Sequence, residues 1–271
     1  MTMDGSTFLT QATARLQRAG IGTARLDSLI LLEDSLKKDR AWLLGHLETV
    51  LPEASVNKLE RWLKRRERHE PLSYIRGFTE FYGRKFKVDK RVLEPRPESE
   101  TMIDLLKTLR LPINPRIADV GAGSGALGIT AALEVPYSIA DLYEIDNNAL
   151  AVAADNVKRH HLNLRCFYSD LLHASSTAYD IVLANLPYVP SYYQVNQAAG
   201  HEPRLAIFGG GDGLEVYRRL FTQIGSGYSW PKFVLTEAMP PQHTRLAEIA
   251  ASVGYREHRH QDFIQVFELA D

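Results

Sequence analysis

The chain has 271 residues, 45% of them apolar and 24% charged, and a formal charge of −1. That length holds one large domain plus a small one, and the near-neutral balance excludes a global field that recruits nucleic acid or a membrane. The single cysteine, Cys166, excludes an internal disulfide and a cysteine zinc cluster, and it fits a reducing compartment.

The first residues, Met1-Thr2-Met3-Asp4-Gly5-Ser6, have neither the basic start nor the apolar centre of a secretory signal. No apolar run approaches the roughly 20 residues that span a bilayer, so a soluble cytoplasmic protein without membrane contact is expected. Residues 6 to 75 carry a helical pattern. Ser6 is placed to cap a first helix ending at Ala19 before Gly20. A second helix puts Leu26, Leu29, Ile30 and Leu32 on one side. Ser55 is placed to cap a third, in which Val56, Leu59, Trp62 and Leu63 recur at helical spacing until Pro71. There Lys58, Arg61, Lys64, Arg65, Arg66 and Arg68 are interleaved with Glu60, Glu67 and Glu70. This reads as a solvated face laced with ion pairs, since the glutamates dilute any field. Residues 1–75 therefore form a small helical domain expected to hold or recognise a partner.

Residues 76–94 alternate apolar and polar positions and predict a β-hairpin linker. Pro95-Arg96-Pro97-Glu98-Ser99-Glu100 is stiff and polar, and Glu98 or Ser99 can open a helix. From residue 95 to 271 strands alternate with helices, which predicts an α/β domain with a mainly parallel sheet. The strands are Ile117–Val120, Ile139–Ile145, Leu164–Tyr168, Ile181–Ala184 and Phe233–Thr236. An antiparallel pair, 254–260 and 263–267, closes a seven-stranded sheet.

Asp119-Val120-Gly121-Ala122-Gly123-Ser124-Gly125 places glycines where a strand turns into a helix and the backbone can approach a ligand closely. Asp146 follows the second strand and is positioned to accept from both ribose hydroxyls. Asp170-Leu171 follows the third, where the carboxylate can take an adenine amino group. The turn by itself suits NAD as well as S-adenosylmethionine. The segment Asn185-Leu186-Pro187-Tyr188, after the fourth strand, favours S-adenosylmethionine because it has no natural part in hydride transfer. A carboxamide nitrogen is a poor nucleophile and must be held in line with a methyl donor. Asn185 offers a side-chain oxygen and Leu186 a backbone carbonyl, Pro187 stiffens the turn, and Tyr188 can pack on a planar group. The 185 loop and the 121 turn must then open onto one cavity.

Taken together, these residues resemble the peptide chain release factor glutamine methyltransferases (the PrmC/HemK family). The likeness extends to Glu70-Pro71-Leu72-Ser73-Tyr74-Ile75-Arg76-Gly77, to Pro95–Glu100, to Glu202-Pro203-Arg204-Leu205-Ala206 and to Gly209–Leu214. The resemblance implies a class I, Rossmann-like methyltransferase fold after the helical domain. It also implies S-adenosylmethionine as cofactor, held by Asp119, Gly121, Ala122, Gly123, Ser124, Gly125, Asp146, Asp170, Leu171 and Asn185. The implied reaction methylates the glutamine of the Gly-Gly-Gln motif in release factors, with Asn185, Leu186, Pro187 and Tyr188 at the acceptor, no metal, and no direct nucleic-acid contact. Leu186 stands where the family usually has a first proline. Asn-Leu-Pro-Tyr also resembles the motif of ribosomal RNA adenine dimethyltransferases, but their domain order is reversed. RNA adenine methylation and a non-catalytic cofactor-binding homologue are the alternatives.

Among the histidines, His160-His161 fits a helix C-terminus, His258 and His260 share a strand face without a third ligand, and His201 is expected near the active site. Cys166 reads as a buried inert thiol.

Overall fold

The computed structural model describes residues 3–227 and 230–270. Two compact units emerge: the segment through Gly77 joined by Asn196–His201, and Phe78–Val195 continued from Glu202 onward.

The first unit is helical, with α1 (Gly5–Arg18), α2 (Ala24–Leu36), α3 (Arg40–Gly45), α4 (Glu53–Arg66) and α5 (Leu72–Arg76). Asp4, not Ser6, caps α1, its carboxylate accepting the Thr7 N–H at 2.7 Å; the stronger acceptor two residues earlier sets the start. Pro52 precedes α4 and presets its entry, so the helix begins before Ser55. That helix stops at Arg66. His69, at φ +64°, turns the chain, and Pro71 leads into α5 instead of ending α4. The core joins Phe8, Leu9, Ala12 and Leu16 to Leu29, Leu31, Leu32, Leu59 and Leu63. Leu26 is exposed and Leu31 fully buried, because α2 packs against both α1 and α4 and buries a wider face than one stripe. The basic run of α4 is largely spent on pairing: Arg66 meets the buried Asp27 at 2.7 Å, Arg65 meets Glu70, and Lys64 meets Glu60.

The second unit begins with the antiparallel pair β1 (Phe78–Phe81) and β2 (Arg84–Lys87), then α6 (Glu100–Lys107). Next come β3 (Arg116–Val120), α7 (Ala126–Glu134), β4 (Ile139–Glu144), α8 (Asn147–Arg159), β5 (Arg165–Tyr168) and β6 (Ile181–Ala184). The short α9 (Arg204–Ile207), α10 (Glu215–Ser226), β7 (Phe233–Glu237), α11 (His243–Ala251), β8 (Tyr255–Gln261) and β9 (Ile264–Leu269) complete it. The seven-stranded sheet runs β5-β4-β3-β6-β7-β9-β8, and only β9 is antiparallel to its neighbours. This is the class I methyltransferase arrangement.

Strand alternation divides the core into two layers. Ile117, Leu142, Ile181, Leu183 and Leu235 face the side covered by α6 and α7. Ala118, Val120, Val182, Ala184 and Val234 face the side covered by α10 and α11. Sandwiched between helices, β6 is buried at every residue, which explains its unbroken apolar run. The chain leaves β3 toward β4 and β5, then returns to pair β6 on the other side. The reversal opens a crevice beyond the carboxyl ends of β3 and β6.

Candidate active site

Both motifs lie at that crevice. Val120 pairs Ala184 in parallel register, so Gly121 and Asn185 leave the sheet side by side. Gly121 sits at φ +74°, a backbone conformation that favours glycine, where the two loops run side by side. Gly121, Ala122, Gly123 and Ser124 line one open cleft together with Asn185, Leu186 and Pro187.

The acidic residues divide their duties differently from the sequence expectation. Asp119 is buried beneath the turn and does not line the cleft; its Oδ2 accepts the Gly128 N–H at 2.7 Å. It thereby caps α7 from within the sheet, where the preceding residue, Gly125, has no side chain to do so. Burial pushes its carboxyl up to about 7. Asp146 is the N-cap of α8, accepting the Asn148 N–H at 2.8 Å. The carboxylate at the end of the second sheet strand is Glu144, which the sequence reading did not single out; Asp146 lines the cleft beside it. Glu144 lines the cleft and accepts N–H groups from Gly123 at 2.8 Å and Asp146 at 2.9 Å. Burial raises its pKa while those two bonds oppose the rise. The helix-start pattern Asp146-Asn147-Asn148-Ala149 signals the capping role of Asp146.

Asp170 lines the cleft with Leu171, but its carboxylate is paired with Arg219, which lines the cleft too. Gly125, at φ +78°, packs under the turn against Ile129 and Leu142 rather than facing the cleft. Asn156 is fully buried and bonds the Ser124 carbonyl at 2.8 Å and both backbone groups of Lys87, fixing the turn from below.

On the acceptor side, Asn185 Nδ2 donates to Ser99 Oγ at 2.9 Å, and Ser99 Oγ donates to Glu237 Oε2 at 2.5 Å. Glu237 Oε1 accepts the Tyr188 hydroxyl at 3.1 Å. Among the described residues, neither Asn185 Oδ1 nor the Leu186 carbonyl accepts a hydrogen bond. Tyr188 does not line the cleft; its ring packs on the core beside α10 and its hydroxyl pKa is raised by burial and by Glu237. Leu186 is 3% exposed. Its N–H, which a proline would lack, donates to Tyr217 Oη at 3.2 Å. Tyr217 Oη also lies 2.5 Å from the Glu237 carbonyl and 3.0 Å from that of Ala184.

The polar proline segment is held in place by Arg96, which meets Glu202 at 2.5 Å, and by the Glu94 N–H, which donates to the same buried carboxylate. Residues distant in sequence, 94–96 and 202, thus form one wall. His201 bonds the Arg68 carbonyl at 2.8 Å within the helical unit. His160 lies tilted against Phe86, and His258 and His260 contact Glu268 and Glu257. Among the described residues no cluster of His, Cys, Asp and Glu can hold a metal, and no helix is long and apolar enough to cross a membrane. Cys166 is half-buried, and burial pushes its thiol up.

The PrmC N-terminal domain matches residues 7–77 and the methyltransferase small domain matches residues 99–202. Over 238 residues the chain is 35% identical to the release factor glutamine methyltransferase of Coxiella burnetii, covering 87% of this chain and 86% of that one. The chain belongs to the release factor glutamine methyltransferase family. The family's Deinococcus radiodurans member is 32% identical over 253 residues, covering 92% and 91% of the two chains. A T. thermophilus 16S rRNA methyltransferase solved with AdoMet and guanosine shares the fold at TM-score 0.53 and 14% identity, over 72% of this chain and 50% of that one.

Proposed function

We propose that this protein transfers a methyl group from S-adenosylmethionine to the side-chain amide nitrogen of the glutamine in the Gly-Gly-Gln motif of release factors. One observation carries the reading. Asn185 and Leu186, whose side-chain Oδ1 and backbone carbonyl have no protein partner among the described residues, line the cleft that the glycine turn also lines. A primary amide presents two N–H bonds, and two acceptors are what orients it.

The cleft fits the cofactor. Gly121, Ala122 and Gly123 present backbone without side chains larger than a methyl, and Glu144 places a carboxylate where ribose hydroxyls need an acceptor. Gly121, Gly123, Glu144 and Leu171 would hold it, with Asp146 and the paired Asp170 at the rim. When bound, S-adenosylmethionine supplies an electrophilic methyl group on a sulfonium that departs as a neutral thioether. Asn185 and Leu186 do the rest of the work. Their acceptors fix the amide nitrogen's approach, and they bind more strongly as positive charge develops on its N–H groups. The N–C bond forms as the C–S bond breaks, and the nitrogen then loses one proton to water, so no strong base is required. The helical unit serves to recognise the body of the release factor. On this reading the protein works in the cytoplasm on a protein substrate, without direct contact to nucleic acid, consistent with its charge of −1.

The test is methyl transfer to a release factor and to the same factor with the Gly-Gly-Gln glutamine replaced. Transfer only to the first supports the reading; equal transfer to both, or transfer to RNA alone, rejects it. Binding of S-adenosylmethionine without turnover on any release factor or RNA rejects it in favour of a non-catalytic homologue.

A further inference from the structure

We infer that Glu237 and Ser99 set the polarity of the Asn185 amide, acting as positioning residues that keep its oxygen turned toward the methyl acceptor. The inference rests on the proposed function, because it explains how Asn185 comes to offer an acceptor and not a donor.

An asparagine side chain has nearly the same shape with its oxygen and nitrogen exchanged, so shape alone does not choose between them. Glu237 makes the choice. It ends β7 at 1% exposure, behind Asn185 and outside the residues that line the cleft. An ionised carboxylate only accepts, so Ser99 and Tyr188 must both donate to it. Ser99 has a single hydroxyl proton, and the 2.5 Å bond to Glu237 uses it. What Ser99 presents to Asn185 is lone pairs, and these admit Nδ2 at 2.9 Å but would repel Oδ1. Burial raises the pKa of the Glu237 carboxyl, and the Ser99 and Tyr188 hydroxyls and the Asn185 amide oppose that rise and favour its charged form. The direction of each hydrogen bond dictates the next, from Glu237 through Ser99 to Asn185.

The cost of this arrangement supports a purpose. Burying a carboxylate is expensive, and among the described residues Glu237 has no cationic partner. Its partners are the hydroxyls of Ser99 and Tyr188 and the Asn185 amide. Ser99 would be a natural helix cap for α6, yet its side chain makes no capping bond and serves Glu237 instead.

The experiment compares the full-length wild type with Glu237→Gln, Ser99→Ala and Ser99→Thr in methyl transfer to a release factor. In parallel, the side-chain amide of Asn185 is followed by ¹⁵N NMR, its signal assigned through Asn185→Asp. Gln at 237 can donate to Ser99, which frees the hydroxyl to donate to Oδ1 and lets the amide turn over. The relay predicts that Glu237→Gln lowers kcat roughly 10- to 100-fold with KM for S-adenosylmethionine within about 3-fold. Ser99→Ala should lower kcat about 10-fold, while Ser99→Thr, which keeps the hydroxyl, stays within about 3-fold of wild type. The Asn185 amide protons should exchange faster in Glu237→Gln and Ser99→Ala than in wild type or Ser99→Thr. Unchanged kcat in folded Glu237→Gln and Ser99→Ala, or Asn185 signals identical to wild type, overturns the relay. An inactive wild type overturns the proposed function instead, and the NMR comparison then still decides the relay.

Discussion

Replacing Glu144 by glutamine and, separately, Asp146 by alanine separates two acids only two residues apart. Glu144 uses one oxygen on the Gly123 N–H and the other on the Asp146 N–H, and it retains lone pairs toward the cleft. Glutamine keeps one acceptor, loses the charge, and turns an NH₂ group against one of those backbone donors. Forfeiting one charge-assisted hydrogen bond to a ribose hydroxyl costs about 2–3 kcal/mol, or roughly 30- to 150-fold in Kd. Asp146 has Oδ1 on the Asn148 N–H and side-chain amide, as a helix cap. Its loss should cost about 1 kcal/mol of stability and lower Tm by roughly 2–4 °C, with Kd for the cofactor changing less than about 3-fold. Titration calorimetry with S-adenosylmethionine and thermal unfolding of both variants measure the two effects. If Asp146→Ala weakened binding as much as Glu144→Gln, the assignment of the ribose carboxylate to Glu144 would be wrong.

Three other outcomes follow from the same geometry. Asn185→Ala should lower kcat by about 100-fold and leave cofactor affinity within about 3-fold, since it removes an acceptor used on the substrate; full turnover in that variant refutes the role. Asp119 has a folded pKa of about 7 against roughly 3.9 unfolded. Between those values the folded state holds a proton that the unfolded state has lost. Stability therefore falls as pH rises, by up to about 1.4 kcal/mol per unit, and levels off above the folded value. Asp119→Asn can still accept the Gly128 N–H, and by urea unfolding it should gain on wild type from about pH 4 to 7; parallel curves contradict this. Tyr217→Phe leaves the buried Leu186 N–H without its acceptor and should cost about 1–3 kcal/mol. Adding Leu186→Pro, which deletes that N–H, should recover about 1 kcal/mol in a double-mutant cycle, and strict additivity argues against that hydrogen bond.

The fold was legible wherever periodicity was strong. β6 is a continuous apolar run because helices cover both faces of the sheet there, and β3 was marked by the glycine turn at its end. Helix starts were less legible: Asp4 and Pro52 set them, while Ser6 and Ser55, acceptable caps by type, lie inside the first turn. In the site, loops adjoining the sheet could be placed because parallel register carries Gly121 and Asn185 out together. Buried acids could not be assigned so easily. Asp119, Glu144 and Glu237 each end or nearly end an apolar strand, and only three-dimensional contacts show which caps a helix, which faces the cleft and which backs Asn185. Ser99 lies 86 positions from Asn185 and 138 from Glu237, a proximity no local pattern encodes.

The central claim is most directly tested by mass spectrometry of a release factor after incubation with this protein and isotopically labelled S-adenosylmethionine. The predicted result is a single labelled methyl on the side-chain nitrogen of the Gly-Gly-Gln glutamine, greatly reduced when the Asn185→Ala variant is used. A release factor left unmodified while the label appears on RNA or on another residue would contradict it.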